Sequence, residues 1–528
     1  MKLYRDLWAL GLLLQAVSVQ AEPQSSPERP QFDILDFQID GNTVLDVETV
    51  EQAVYPYLGT GKSVDDVEQA RVALETAYRD HGYPTVVIDI PEQDVNEGRV
   101  KLKAVEGRID YVQVTGSRYH ALSTIRDGLP ALAEGKVPYM PEVQTQVTQL
   151  AGQSADRSVT PLFRAGQAPG QMEVELKVND HLPLHGSVEL NSHNTDYTEY
   201  TRLIGSLRYD NLWQKFHSAS LNYQTSPENS DEVEVWSGTY VLPTGWADSR
   251  LALYGVGISS NTLLGANVGG TSVVGAGSIY GFRLVKPLPQ KSGWLHNLTF
   301  GWDYKQFDQV VTLVGQDTGS TPIHYAPFVL GYDAQFRSGE TLTRLNANGH
   351  FSIRGLGNDA LEFERKRYLA RPDFFYFTAD LKHEHPLPLD FLLSARLSGQ
   401  VTGQPLISNE QYSAGGVQSV RGYHQTQQLG DDGLNASVEL YGPPLPTGSG
   451  EQIQNLRMFG FYDWATLWID SPLPKNPARY TLSSAGLGLR MHILRHFIGE
   501  LDWGYPFYRQ GTVDVGQQRL DFRVSYEF

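Results

Sequence analysis

Leu520-Asp521-Phe522-Arg523-Val524-Ser525-Tyr526-Glu527-Phe528, the last nine residues, alternate apolar and polar side chains without a break. A strand repeats its side-chain direction every second residue. One face of this segment therefore carries Leu, Phe, Val, Tyr and Phe, and the other Asp, Arg, Ser and Glu. Full charges on the second face would be costly in a packed core but are normal beside water. One such strand fits either a soluble sandwich with a wet face or the wall of a membrane barrel, so the choice depends on how far the pattern extends.

It extends upstream to about Leu184, where helical periodicity gives way to strands of period two broken by Gly, Asn, Asp and Pro turns. Leu298, Phe300, Trp302 and Tyr304 alternate with Thr299, Gly301, Asp303 and Lys305. Phe375, Phe377, Ala379 and Leu381 alternate with Tyr376, Thr378, Asp380 and Lys382, and Phe391 to Thr402 repeats the scheme. Apolar faces that end in aromatic residues, strand after strand, favour a transmembrane antiparallel β-barrel with a hydrated lumen. The 28 Tyr, 21 Phe, 9 Trp and 51 Gly suit such a wall. The negative mean hydropathy of −0.34 is no objection, because only alternate residues face lipid. No stretch of about 18 apolar residues exists, which excludes helical spans.

Upstream of the barrel lie two units of one plan. Phe32 to Val44 reads as a strand running into an Asp40-Gly41-Asn42 turn, and Asp46 can cap a helix over about Val47 to Leu58. A second helix is expected over Val64 to Gly82, then strands over Tyr83 to Ile90 and Arg99 to Val105. The second unit repeats this β-α-α-β-β order. Its first strand enters Thr115-Gly116-Ser117, helices are expected near Leu122 to Arg126 and Pro141 to Ala151, and strands near Arg157 to Phe163 and Met172 to Val178. The matching glycine turns, about 75 residues apart, mark an internal repeat.

The N-terminus reads as a secretory signal over 1–21, with basic Lys2 and Arg5, a short apolar core from Leu7 to Leu14, and a Val19-Gln20-Ala21 cleavage site. Residues 22–30 are a polar leader with three prolines, too short to both plug a pore and span a linker.

The two units resemble a tandem pair of POTRA domains, at 31–107 and 108–180, with the barrel at 181–528. Phe163-Arg164-Ala165-Gly166-Gln167-Ala168-Pro169-Gly170 looks like the turn before the last strand of a second POTRA domain. Val420-Arg421-Gly422-Tyr423 resembles the tip motif of outer-membrane barrels that move or insert polypeptides. Phe461-Tyr462-Asp463-Trp464-Ala465 resembles the wall motif that holds that arginine, with Ala465 where the pattern has Gly. An arginine in a lumen needs a carboxylate or a water-filled route, and Asp463 offers the carboxylate. Tyr209-Asp210-Asn211-Leu212-Trp213 and Tyr240-Val241-Leu242-Pro243 add local likeness. Together these residues resemble the transporter of two-partner (type Vb) secretion, the haemolysin/haemagglutinin transporter family.

That resemblance implies sixteen strands. The barrel region holds 528 − 184 + 1 = 345 residues, or about 22 per strand and connection, where a spanning strand takes about 9–11. Length alone would also allow fourteen or eighteen. It implies a loop folded inward over about 404–434, with Arg421 at its tip and Phe461 and Asp463 on the wall; because the leader 22–30 is too short to plug the pore, that loop is expected to be the main obstruction of the lumen. It implies cargo capture at the free edge of each POTRA sheet, through Thr85, Val86, Val87 and Ile88 and through Val159, Thr160 and Leu162. Tyr526 and Phe528 resemble the terminal signal read by the barrel-assembly machinery. The implied partners are a secreted exoprotein with an N-terminal secretion domain, outer-membrane lipid and that machinery. The implied location is the outer membrane of a Gram-negative bacterium, with the POTRA domains in the periplasm.

A barrel-assembly or insertion factor of the same superfamily is the alternative, though such factors commonly carry more POTRA domains. A specific porin would leave the tandem units without a role. An adjacent gene for a very large β-helix-like exoprotein would decide for secretion.

Other chemistry finds no support. His383-Glu384-His385 lacks the spacing of a zinc protease motif and reads as an interfacial strand end. Asp431-Asp432-Gly433 lacks the remaining ligands of a calcium loop and reads as a solvated loop. No phosphate-binding or nucleophile motif occurs, so no catalytic residue, metal or cofactor is expected. The absence of cysteine removes thiolate chemistry and fits passage through an oxidising compartment, and a net charge of −18 argues against nucleic-acid binding.

Overall fold

The computed structural model describes residues 31–528 other than 96, 197, 247, 261–264, 269–270, 275, 290–292, 309, 312–318, 321, 446–452 and 495. The expected signal segment and leader lie outside the described residues. The chain divides into two compact units, the described part of Met1–Ser117 with Leu122–Asn179, and Arg118–Ala121 with Asp180–Phe528.

The N-terminal unit contains two β-α-α-β-β repeats. The first comprises β1 (Asp36–Asp40), α1 (Val47–Val54), α2 (Val64–Asp80), β2 (Val87–Asp89) and β3 (Arg99–Val105). Asp46 caps α1 by accepting the Thr49 N–H at 2.7 Å, and Asp66 reaches back to the Ser63 N–H at 2.8 Å to fix the start of α2. The second comprises β4 (Arg108–Thr115), α3 (Leu122–Asp127), α4 (Met140–Gly152), β5 (Arg157–Ala165) and β6 (Gln171–Asp180). In each sheet the third strand lies in the middle, so β2 and β5 form free edges. Leu74, Tyr78 and Leu102 fill one core, and Ile125, Leu150 and Leu176 the other.

The repeat is visible at its glycines. Gly41 and Gly116 both take positive φ (87° and 82°), and a Cβ on either would lie 2.4 or 2.3 Å from the carbonyl oxygen of Ala104 or Val178. Only glycine fits where the first strand turns across the third.

The strand expected over Tyr83 to Ile90 pairs only at Val87–Asp89. The Tyr83 N–H bonds back to the Tyr78 carbonyl (2.8 Å) and the Val86 N–H to that of Tyr83 (3.2 Å). Those amides close turns after α2, which keeps Thr85 and Val86 out of the ladder.

The second unit is a closed antiparallel barrel of sixteen strands. They are β7 (Leu184–Asn191), β8 (Arg202–Leu212), β9 (His217–Thr225), β10 (Val233–Pro243), β11 (Arg250–Ser260), β12 (Gly277–Pro287), β13 (Trp294–Phe307), β14 (Phe328–Ser338), β15 (Thr341–Phe351), β16 (Phe375–Pro386), β17 (Leu392–Thr402), β18 (Asp432–Tyr441), β19 (Ile453–Trp468), β20 (Arg479–Ile493), β21 (Phe497–Pro506) and β22 (Arg519–Glu527). Ile323–Tyr325 extends β14 along β13 across the Ala326-Pro327 break, where proline cannot donate to a ladder. Closure comes from β22 pairing with β7, from Arg523 opposite Asn191 to Glu527 opposite Ser187. Residues 213–216, 339–340 and 387–391 make short turns at one end; at the other, the connection 352–374 carries α5 (Ala360–Lys366) and the connection 403–431 folds inward.

The alternation read in the sequence is the wall. Leu298, Leu381, Val438, Leu487, Leu520 and Val524 face outward and are 41–54% exposed, whereas Asp303, Lys305, Asp463, Asp502 and Asp521 face inward and are at most 3% exposed. A surface this apolar encircling a closed barrel requires lipid around it.

The lumen departs from the expected hydrated channel. Towards the long-loop end its lining turns apolar, and Val233, Ile258, Phe307, Phe363, Phe374 and Leu406 form a dry core inside the barrel. The inward positions there meet α5 and the inward loop rather than water.

Candidate functional site: the loop folded into the barrel

The connection between β17 and β18, residues 403–431, folds into the lumen. Asp432, Gly433 and Leu434, expected in the loop, belong to the wall. A turn at Ser408–Glu410 precedes a short hairpin of Tyr412–Ala414 with Gln428–Gly430, and the hairpin presents the tip.

At the tip the structure brings Val420-Arg421-Gly422-Tyr423 against β19. Arg421 is 3% exposed. Its Nε and Nη2 donate to the two oxygens of Asp463 at 2.7 Å each, and its backbone N–H donates to the same carboxylate at 3.1 Å. Nη1 donates to Glu439 at 2.6 Å, and Nη2 also reaches the Ser437 hydroxyl at 3.2 Å. The guanidinium lies 3.6 Å from the centre of the Phe461 ring, so the wall aromatic completes its enclosure. A bidentate, charge-assisted pair of this kind offsets the desolvation that burial imposes.

The neighbouring motif residues are positioned by packing. Val420 and Tyr423 are fully buried with Ala414, Ala465, Leu467 and Leu482, so the methyl of Ala465 is part of the contact under the tip. The Tyr423 hydroxyl donates to the Tyr508 carbonyl at 2.8 Å. Gly422, at φ 85°, rests on Gly504 of β21, where an added Cβ would lie 2.6 Å from the Gly422 nitrogen. Two glycines let the loop backbone touch the wall backbone.

Sequence reasoning reached Asp463 but missed the rest of the network. Asp502 lies 3.6 Å from Arg421 and accepts from Arg490 at 3.0 Å. Arg490 faces Glu500, Glu500 accepts from Arg523 at 2.8 Å, and Arg523 donates to Glu189 at 2.7 Å. Opposite charges thus alternate from the loop tip to the β22–β7 closure. The available signal was their shared inward parity on neighbouring strands.

The base of the loop is held too. Asp431, read as part of a solvated loop, is 0% exposed. Both guanidinium NH₂ groups of Arg367, from the connection that carries α5, bind it, one of them at 2.6 Å. The N–H groups of Leu406 and Asp470 donate to it at 2.8 Å. Two folded-in connections enclose this carboxylate, which is why it is dry. Glu410 is equally enclosed and accepts from Lys305 at 2.7 Å, from Tyr376 at 2.6 Å and from Tyr325.

The remaining sequence-derived positions are dispersed. On the POTRA-like edges, Val86 and Ile88 point into the core and Val87 is exposed, while Val159 is buried and Thr160 and Leu162 are exposed. Tyr526 and Phe528 point outward, and Phe528 exchanges backbone hydrogen bonds of 3.0 Å with Gly186 across the closure. His383 and His385 sit at the short-turn end of β16 against Thr343 and Thr341.

Comparison with known proteins accords with this geometry. Residues 32–107 match the POTRA domain of ShlB type, and residues 170–491 match the haemolysin secretion/activation protein family ShlB/FhaC/HecB. The outer membrane transporter CdiB of Dickeya dadantii (strain 3937) is 22% identical over 446 residues, which cover 82% of this chain and 76% of that protein. The heme/hemopexin transporter protein HuxB of Haemophilus influenzae (strain 86-028NP) is 21% identical over 405 residues, covering 73% and 67%. Among solved structures, CdiB from Escherichia coli aligns with a TM-score of 0.61 at 19% identity, covering 97% of this chain and 93% of that one. BamA from Haemophilus ducreyi lacking POTRA domains 1-3 aligns at 0.58 with 16% identity, covering 95% and 100%, which shows a shared fold. With more than half of the chain matched, the protein belongs to the haemolysin secretion/activation protein family of ShlB, FhaC and HecB.

Proposed function

We propose that this protein is an outer-membrane conduit that recognises a large secreted exoprotein, an adhesin or cytolysin, in the periplasm and passes it to the cell surface. The observation that carries this reading is the loop at 403–431, clamped inside a lipid-facing barrel by buried ion pairs and therefore placed to close a polypeptide path. The second repeat serves as a second POTRA domain, and both repeats lie in the periplasm. Their free edges at β2 and β5 receive the exoprotein's N-terminal secretion domain as an added strand, through backbone hydrogen bonding with side-chain selection. Transport uses no nucleotide, and folding of the cargo outside biases its movement outward. Tyr526 and Phe528 direct delivery of the nascent barrel to the assembly machinery.

The test is co-expression with the very large β-helix-like exoprotein that this reading expects an adjacent gene to encode. Surface exposure of that exoprotein should require this protein, and its unfolded form should accumulate in the periplasm without it. Normal surface display in its absence would overturn the reading. Loss of many unrelated outer-membrane barrels, with the exoprotein unaffected, would assign it to barrel insertion instead.

A further inference from the structure

The tip arginine is not the only buried charge through which the loop grips the wall. Glu410 lies eleven residues before it in the chain (421 − 410) and binds a different sector. Its partners stand on β13 (Lys305), the β14 extension (Tyr325) and β16 (Tyr376), whereas Arg421 binds β18 and β19. Counted round the barrel, Lys305 is on the seventh strand and Asp463 on the thirteenth, so the two contacts lie well apart on the circumference.

The Glu410 site is as enclosed as the tip site. Glu410 is 4% exposed and Lys305 3%. Gln400 also donates to the Glu410 carbonyl at 3.0 Å. Leu406 and Ile407, just upstream, pack into the dry core with Phe363 and Phe374. The carboxylate therefore sits beneath apolar cover, where losing one member of an ion pair leaves the other buried and unpaired. The two phenols satisfy the lone pairs that Lys305 does not reach.

We propose that Glu410 is a second and independent lock on the inward loop, and that the loop opens in two stages. Releasing Arg421 frees only the segment between Glu410 and Asp431, residues 411–430. The foot, with Leu406, Ile407 and Glu410, stays docked until the Lys305–Tyr325–Tyr376 cradle lets go. Full clearance of the lumen needs both, so a passing polypeptide meets two closures of opposite polarity, an arginine held by carboxylates and a glutamate held by a lysine.

The chain has no cysteine, so single introduced thiols report on each stage in the full-length protein. Asn409→Cys reports on the foot and Ala414→Cys on the hairpin; both side chains are buried at rest. The probe is a membrane-impermeant maleimide applied to the protein in liposomes, and heat-modifiable migration checks that the barrel is folded. Arg421→Ala should raise labelling at 414 at least tenfold and leave 409 within threefold. Glu410→Gln should raise labelling at 409 at least tenfold. Lys305→Met/Glu410→Gln, which removes both charges together, and Tyr376→Phe provide further variants should Glu410→Gln not fold.

Equal exposure of 409 in Arg421→Ala would show a loop that leaves as one body and would overturn the proposal. Unchanged labelling at 409 in folded Glu410 variants would overturn it as well. Loss of the folded barrel in all three would assign Glu410 to assembly, against the proposal. The inference rests on reading the lumen as a polypeptide path, but the labelling uses no cargo, so it stands or fails separately from secretion.

Discussion

Arg421→Ala removes a guanidinium that engages Asp463 through two side-chain hydrogen bonds of 2.7 Å and Glu439 through one of 2.6 Å. Asp463 is 0% exposed, so the truncation leaves a carboxylate buried without its counter-charge, with Glu439 close by. Breaking one side of a buried pair costs about 3–5 kcal/mol. At about 1.4 kcal/mol per factor of ten, the docked-to-released ratio of the tip should fall roughly 10²- to several 10³-fold. Arg421→Lys keeps the charge but loses the planar fork, and should cost about 1–2 kcal/mol. Asp463→Ala leaves the arginine with Glu439 and Asp502 and should fall between the two. The assay is single-channel recording in planar bilayers, paired with secretion of the exoprotein and heat-modifiable migration. Occupancy of higher-conductance states should increase from wild type through Arg421→Lys and Asp463→Ala to Arg421→Ala, with the barrel still folded and secretion impaired. Resting conductance and secretion equal to wild type in both alanine variants would refute the reasoning.

Deleting Phe528, or making both Tyr526 and Phe528 polar, removes the backbone exchange with Gly186 or its apolar cover, and should lower the amount of heat-modifiable barrel recovered from outer membranes. Proline at Val159, in the free edge strand β5, should weaken binding of the exoprotein's N-terminal domain to the folded full-length protein; equal affinity by titration would argue against strand addition there. Gly41→Ala and Gly116→Ala each place a methyl against a backbone carbonyl in a left-handed conformation worth about 1–2 kcal/mol by itself. Each should lower the first unfolding transition by several degrees at about 2–4 °C per kcal/mol, measured by calorimetry.

The wall was legible because period-two alternation is local. Leu298 to Lys305 or Leu520 to Phe528 declares both faces without reference to any other strand. The repeat was legible because Gly41 and Gly116 answer the same steric demand 75 residues apart (116 − 41). The tip motif could be paired with Asp463 through resemblance. What stayed hidden depends on contacts between distant segments. Glu410 finds Lys305 across 105 residues and Asp431 finds Arg367 across 64, and neither pair has a spacing that chemistry fixes. The first edge strand was overestimated because Thr85-Val86-Val87-Ile88 has strand propensity throughout, while the turn hydrogen bonds of Tyr83 and Val86 arise only after α2 is placed. The dry core was missed because an inward valine such as Val233 reads as an ordinary strand residue until α5 and the loop cover it.

That dry core has a thermal consequence. Expelling the foot of the loop would hand Leu406, Ile407, Phe363 and their neighbours to water. Hydrating apolar surface raises heat capacity, so opening carries a positive heat-capacity change, as unfolding does. The closed fraction then has curvature, with a maximum at an intermediate temperature and a decline on either side. Chilling should loosen the seal as warming does, and a channel held by its ion pairs alone would not show that turning point.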